Sequence, residues 1–324
     1  LILWAYSSGN IKIEESTFTV TEDFDRGAQP KTAFYFGKEA DGEYIPISVS
    51  GVGINDREKD VERCCVYTDG GAYYIAESEN LVGGLKSFVD ENKNVRFDVW
   101  VKNKSAKTEK TYISAYFDLL LKRKPNEGFE DKWYRLVETT DDGFSIHVTE
   151  YLDRTTCLNH YAYVKRICDK KTYSTTSATN FKGRQHASLP SAKSLKTGVI
   201  DNPKSKTLFT EAGVEADLTP LELKAGESAA ITYLVAISDS KEKCASHSGS
   251  NPQTKREYND TFGNIPEVNL AGNPYGVSDF AFSSFVRSVM KQTEFCARSK
   301  NYAGALIGVR DIFQQLEAAL IWIP

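Results

Sequence analysis

Hydrophobic and polar positions alternate with a period of two over most of this chain. The clearest stretch is Val95-Arg-Phe-Asp-Val-Trp-Val101, where odd positions are apolar and even ones mostly polar. That is the pattern of a strand with one buried face. Ile11-Lys-Ile13 and Phe18-Thr-Val20 are shorter examples, and 133–137, 144–148 and 161–164 repeat it. Asp41-Gly42, Asp69-Gly70-Gly71, Gly83-Gly84 and Asp141-Asp142-Gly143 read as turns between strands. The polar stretch 103–110 separates the strand at 95–101 from one at 111–120, so these two are expected to form an antiparallel hairpin. Near the end of the pattern a strand at Leu221-Glu-Leu223 meets a Lys224-Ala-Gly-Glu227 turn and a strongly apolar strand at 229–237. Many short strands, with no long helical periods between them and no repeat of fixed length, predict a large antiparallel β-sandwich.

Two regions break the pattern. Residues 183–206 are polar and irregular and read as a surface loop, in which Arg184 and His186 are candidates for touching a ligand. Residues 238–277 are polar, with Ser246-His-Ser-Gly-Ser-Asn-Pro252 and Ala271-Gly-Asn-Pro274, the composition of a linker. The period then becomes helical. Phe282, Phe285, Val286, Val289, Thr293 and Cys296 fall on one face of a helix over 279–299, with Ser278 or Asp279 placed to cap it. Ile312, Phe313, Leu316, Ala319, Leu320 and Ile323 form the apolar face of a second helix over about 309–323. The expected organisation is a sandwich domain at 1–240, a linker at 241–278 and the start of an all-α region at 279–324. The first residue is Leu1 and the last lie within an apolar helical pattern, so both ends read as cut from a longer protein.

Composition changes this picture little. With 324 residues and 40% hydrophobic side chains the chain can bury a substantial core. A net charge of −4 argues against a nucleic-acid binder, which needs a basic stripe. No apolar run reaches the length of a membrane span and no signal peptide is visible, so a cytoplasmic protein with no membrane partner is expected. The six cysteines are irregularly spaced and two of them, Cys64 and Cys65, are adjacent. That suits reduced, buried thiols better than a disulfide framework. Cys157, His160 and Cys168 could be imagined as metal ligands, but a structural site would need a fourth; no metal is expected.

The candidate chemistry lies in the tail. Asn301, Gly304 and Gly308 make a turn-prone approach to Arg310-Asp311 at the start of the second helix. Arg offers a fork of donors and Asp offers acceptors, which suits sugar hydroxyls or phosphate. The same pair also fits a plain capping role, with Asp311 on the helix start and Arg310 paired to a neighbouring acid.

The tail wording Val289-Met-Lys-Gln-Thr-Glu-Phe-Cys-Ala-Arg298, Asn301-Tyr-Ala-Gly304 and Ile307-Gly-Val-Arg-Asp-Ile-Phe-Gln314 resembles the inverting sugar phosphorylases of glycoside hydrolase family 94. Phe181-Lys-Gly-Arg184, Leu189-Pro190, Leu221 and Ala225-Gly-Glu227 resemble the end of that family's N-terminal sandwich. The resemblance implies a mainly-β supersandwich, a helical linker and the first helices of an (α/α)6 barrel. It implies inverting phosphorolysis of β-linked gluco-oligosaccharides to α-glucose 1-phosphate, with wording closer to the β-1,2-glucan branch. Arg310 and Asp311 would bind donor-sugar hydroxyls, and Gln314 matches the motif's Gln. Gln315 and Val309 depart from the Asp and Phe of many members. No catalytic residue is expected before Pro324, because the family's general acid lies further along the barrel. Inorganic phosphate would be the co-substrate, with no other cofactor, and a homodimer is expected. The alternative is a non-catalytic carbohydrate-binding or dimerisation module.

Overall fold

The computed structural model describes residues 1–6, 9–15, 18–21, 30–50, 60–68, 71–90, 92–123, 132–151, 156–184, 187–208, 213–238, 240, 242, 271–279, 282, 283, 285, 286, 289 and 290. The chain divides into two compact units, Leu1–Thr254 and Lys255–Pro324.

In chain order the strands of the first unit are β1 (Ile2–Ala5), β2 (Ile11–Glu14), β3 (Phe18–Thr19), β4 (Thr32–Ala40), β5 (Glu43–Ser50), β6 (Glu62–Thr68), β7 (Gly71–Glu77), β8 (Leu81–Val89) and β9 (Val95–Asn103). They continue with β10 (Glu109–Phe117), β11 (Lys122–Arg123), β12 (Lys132–Thr140), β13 (Gly143–Tyr151), β14 (Cys157–Ile167), β15 (Tyr173–Ser177), β16 (Lys206–Leu208), β17 (Gly213–Leu223) and β18 (Ser228–Ser238). All pairings among the described residues are antiparallel, as the period-two pattern predicted. Three sheets result. Nine strands lie in the order β16-β12-β13-β14-β18-β9-β8-β7-β6, five in the order β15-β17-β10-β4-β5, and four in the order β1-β2-β3-β11.

The two large sheets share one core. Phe34, Phe36, Ile113 and Phe117 from the five-stranded sheet meet Phe97, Val99, Val101 and Tyr233 from the nine-stranded one. Phe34 packs at 5.0 Å from Phe97 and 5.5 Å from Phe117, in the tilted and edge-on geometries that aromatic quadrupoles favour. The five-stranded sheet is buried on its other face too. There Tyr35, Tyr112, Tyr116 and Leu218 pack under Phe181, Leu189 and Leu195. Covered on both sides, β4 and β17 carry unbroken buried runs instead of alternation.

That second cover corrects the surface loop expected at 183–206. Helix α1 (Ala178–Lys182), a 3-10 turn at Leu189–Ser191 and helix α2 (Lys193–Thr197) form a third layer. Ser177 caps α1 by accepting from the Asn180 amide, and Gly183 ends it at φ 82°, where L residues are strained. Leu189, Leu195 and Ile200 anchor the layer, and Tyr112 donates to the Leu195 carbonyl at 2.8 Å. Three isolated apolar anchors are too sparse to show a helical period, so the segment reads as polar.

The 95–117 hairpin is also corrected. β9 pairs with β8 and β18, whereas β10 pairs with β4 and β17 in the other sheet. β9 with its alternation and β10 with its unbroken buried run face the same core from opposite sides, and neither pattern tells a hairpin from a crossover. β17 and β18 cross over in the same way beside them. The Asn103 side chain clips the two crossovers together, donating to the carbonyls of Lys107, Leu223 and Lys224 at 2.6, 2.9 and 3.1 Å.

Gly83-Gly84, read as a turn, lies inside β8. A Cβ at Gly83 would meet the Phe36 ring at 2.5 Å, and one at Gly84 the Trp100 ring at 2.4 Å. Glycine is there to let aromatic rings from both faces lie flat on the strand.

In the second unit the Phe282 amide bonds to the Ser278 carbonyl at 3.0 Å, opening a helix where one was expected. The Asp279 carboxylate accepts from Gly272 and Asn273 upstream. Ser283 and Met290 are buried while Phe285 and Val289 are exposed, which rotates the expected apolar face. Ser283 and Met290 are seven residues apart, two helical turns, and so share a stripe. Thr293, Cys296, most of the linker at 241–278 and the second helix at 309–323 lie outside the described residues. No helix among the described residues is long and apolar enough to cross a membrane.

Candidate functional site

The sequence candidates divide. Arg310, Asp311 and Gln314 lie outside the described residues, as does His186, and Arg184 is exposed. Cys157 and His160 are three apart on β14, so they point to opposite faces of the sheet. Cys157 is exposed and His160 is buried beside the Phe18 ring at 4.3 Å. Cys64 is exposed as well, and Cys65 and Cys168 are partly exposed, against the expectation of buried thiols; strand ends and an edge strand place them there.

Two charged pairs sit between the large sheets. Arg135, on the inward face of β12, donates to the Gly213 carbonyl at 2.7 Å and to the Glu215 carboxylate. Both side chains are excluded from solvent, at 2% and 0% exposure. Glu215 also accepts from the Leu119 amide at 3.2 Å. Burial pushes its carboxyl up to about 7, against the attraction of Arg135. Arg166 pairs with Asp217 at 2.7 Å and donates to Ser174 at 3.2 Å. These pairs bridge strands of different sheets, so their role is to pin the layers.

The outward face of the nine-stranded sheet carries a groove of about 410 Å³ across β12, β13, β14 and β16. Its shape follows from register. Leu136, His147 and Tyr161 form one cross-strand row of outward side chains, and Glu138, Ser145 and Tyr163 form the next. Ser145 is the small member between larger neighbours, so the depression lies over it. His147 stacks on Tyr161 at 4.6 Å with the rings 10° apart. His147 Nε2 lies 2.8 Å from Asn159 Oδ1, within hydrogen-bond distance. On the opposite side Tyr163 donates to Asp142, and Thr140 lies 2.8 Å from the Tyr163 hydroxyl. Partial burial would raise the Asp142 carboxyl, but Tyr163, Thr140 and Lys165 together hold it below the usual range. At the sheet edge Lys206 pairs with Glu138 at 2.8 Å. The sequence signal for this groove was the outward half of the alternation, Tyr161-Ala-Tyr163 opposite Ser145-Ile-His147, which reads first as core patterning.

Residues 23–249 match the glycosyl hydrolase 94 supersandwich domain. The chain belongs to that family. Membership bears out the resemblance carried by the sequence, and the family 94 supersandwich is the mainly-β antiparallel sandwich expected. Among solved structures, a polysaccharide lyase aligns over 67% of this chain and 28% of its own at 11% identity, with a TM-score of 0.32. A chain described as a kojibiose phosphorylase from the human microbiome aligns over 67% of this chain and 29% of its own, also at 11% identity, with a TM-score of 0.33. This chain thus spans under a third of the length of either. No curated protein matches it.

Proposed function

We propose that this chain is the sandwich-bearing part of an inverting glycoside phosphorylase acting on β-linked gluco-oligosaccharides, β-1,2-glucan among them. The observation that carries this reading is the family 94 supersandwich match over residues 23–249. The tail wording around Arg310 and Asp311 adds the substrate chemistry.

In that reaction a carboxylic acid gives its proton to the leaving glycosidic oxygen as the bond to the anomeric carbon breaks. A phosphate oxygen forms the new bond from the opposite face, and the β-linked sugar leaves as α-glucose 1-phosphate. Phosphate is already an anion, so no strong general base is required. Arg310 and Asp311 hold donor-sugar hydroxyls, with Gln314 beside them, and the acid belongs to barrel residues beyond Pro324. Phosphate is the co-substrate, no other cofactor takes part, and the enzyme is a cytoplasmic homodimer without membrane or nucleic-acid partners. The test is release of α-glucose 1-phosphate by the complete enzyme with and without phosphate; equal sugar release without phosphate overturns the reading. Asp311→Ala in the complete enzyme is expected to lower kcat/KM about a hundredfold or more, since sugar hydroxyls lose a charged acceptor. Turnover near wild type would remove Asp311 from the sugar site. The second reading, a non-catalytic glycan-binding module, is favoured by the groove over Ser145.

A further inference from the structure

We infer that the groove over Ser145, on the outward face of the nine-stranded sheet, is a binding site for a neutral oligosaccharide chain, separate from the residues proposed to hold the reacting sugar. The inference rests on the glycoside reading above for its ligand class, and on the groove itself for its place.

A sugar chain presents two kinds of surface, C–H patches on its ring faces and a rim of hydroxyls. The groove offers a partner for each. His147, Tyr161 and Tyr163 give aromatic surface, whose electron-rich faces attract polarised C–H groups. Glu138, Lys206 and the Ser145 hydroxyl give polar groups that can both donate to and accept from hydroxyls. A volume of about 410 Å³ is at the small end of ligand pockets and has room for on the order of one or two sugar rings, with the chain running out over the sheet. Tyr134 and Tyr151, exposed on the same face and 5.7 Å apart, extend the aromatic surface beyond it.

Charge selects a neutral ligand. Lys206 is matched by Glu138 at 2.8 Å, and Lys165 by Asp142 at 3.7 Å. Within the groove an anion would meet the Glu138 carboxylate and a cation the Lys206 ammonium. A second aromatic group on this face shows the contrast. There the Lys86 ammonium lies 4.7 Å from the Phe88 ring and 5.4 Å from Tyr73, and the Arg96 guanidinium 5.7 Å from Phe88. Those rings are already covered by the protein's own cations. No cation of the described residues covers the His147–Tyr161 pair in this way.

The surroundings hold the aromatic side chains still. His147 is tied to Asn159, which also accepts from Thr149 at 3.0 Å, and Tyr163 is tied to Asp142 and Thr140. Side chains fixed before a ligand arrives lose little freedom on binding it.

The full chain is titrated with a β-linked glucotriose and with inorganic phosphate, followed by tyrosine fluorescence. Two variants accompany it, Tyr161→Ala, which removes a ring, and Ser145→Tyr, which fills the groove and removes none. Unfolding midpoints confirm that each variant is folded. Wild type is expected to bind the trisaccharide and not phosphate, and both variants to bind it about tenfold more weakly, the effect of losing one aromatic contact. In the complete enzyme both variants should turn over a disaccharide at the wild-type rate and lose only the advantage on longer chains. Wild-type affinity in both folded variants, absence of trisaccharide binding in wild type, or binding of phosphate instead overturns the inference. If groove binding holds but cleavage does not depend on phosphate, the phosphorylase reading falls and the site stands. If phosphorolysis holds and the variants bind normally, the reverse is true.

Discussion

Replacing Arg135 with Met should destabilise the protein by an amount that depends strongly on pH. Arg135 is 2% exposed and its partner Glu215 is fully buried, so neither charge has water to turn to. The folded Glu215 carboxyl sits near 7 against an ordinary 4.5. A carboxyl raised on folding contributes stability that is fully present below the ordinary value and is lost as pH rises through the raised one. In the wild type that loss is worth about 3 kcal/mol between pH 4.5 and pH 7 and above. Without Arg135 the carboxyl loses its attracting charge and rises further. At pH 8 the variant must then either bury a lone carboxylate or bind a proton against the solution, a penalty of about 3–5 kcal/mol relative to wild type. At pH 5 the carboxyl is neutral in both proteins. The penalty should shrink to roughly 1–2 kcal/mol, the lost hydrogen bonds to Gly213 and Glu215. The double variant Arg135→Met/Glu215→Leu removes both charges, so it should regain most of the loss and show no such pH dependence. Urea unfolding of the three proteins at pH 5, 6.5 and 8, followed by circular dichroism, measures this. An equal deficit for Arg135→Met at pH 5 and pH 8 would refute the reasoning.

Three further outcomes are expected. Asn103→Ala leaves three carbonyls short of a donor at the paired crossovers and should cost about 2–3 kcal/mol in urea unfolding. Gly83→Ala drives a Cβ into the Phe36 ring and should cost about 1–3 kcal/mol, whereas Gly42→Ala meets nothing within 4 Å and should cost only about 1 kcal/mol for its positive φ. Cys64 and Cys157 should react with iodoacetamide faster than Cys65, whose thiol is pushed up chiefly by burial; peptide mass spectrometry of the native protein reads the order.

Sheet content was legible because one buried face per strand imposes a period of two, and 95–101 and 144–148 show it plainly. Partnership was not legible, because a strand's buried positions do not say which sheet it joins; β9 and β10, neighbours in sequence and members of different sheets, are the case in point. Where both faces are buried, as in β4, alternation itself disappears. The glycines of β8 misled for a different reason. They answer to the Phe36 and Trp100 rings, far away in sequence or on a neighbouring strand, and not to a turn. Buried charges such as Arg135 and Glu215 occupy inward positions that parity alone marks as core, and only their partners explain them. The tail motif told the family, which the supersandwich match shares, while the groove over Ser145 needed register to bring four strands' side chains together.

The alternation of the chain between sheets carries a consequence for how the domain is made. β4 and β5 belong to one sheet, β6 to β9 to the other, β10 to the first again, and β12 to β14 to the second. Neither layer can therefore be completed by a nascent chain until β17 and β18 have emerged. Contacts so distant in sequence delay closure, and folding on the scale of roughly milliseconds to seconds is the ordinary outcome for such topologies. A break introduced anywhere between β6 and β17 would divide both large sheets between the two pieces, so this sandwich should melt, and be degraded, as one unit.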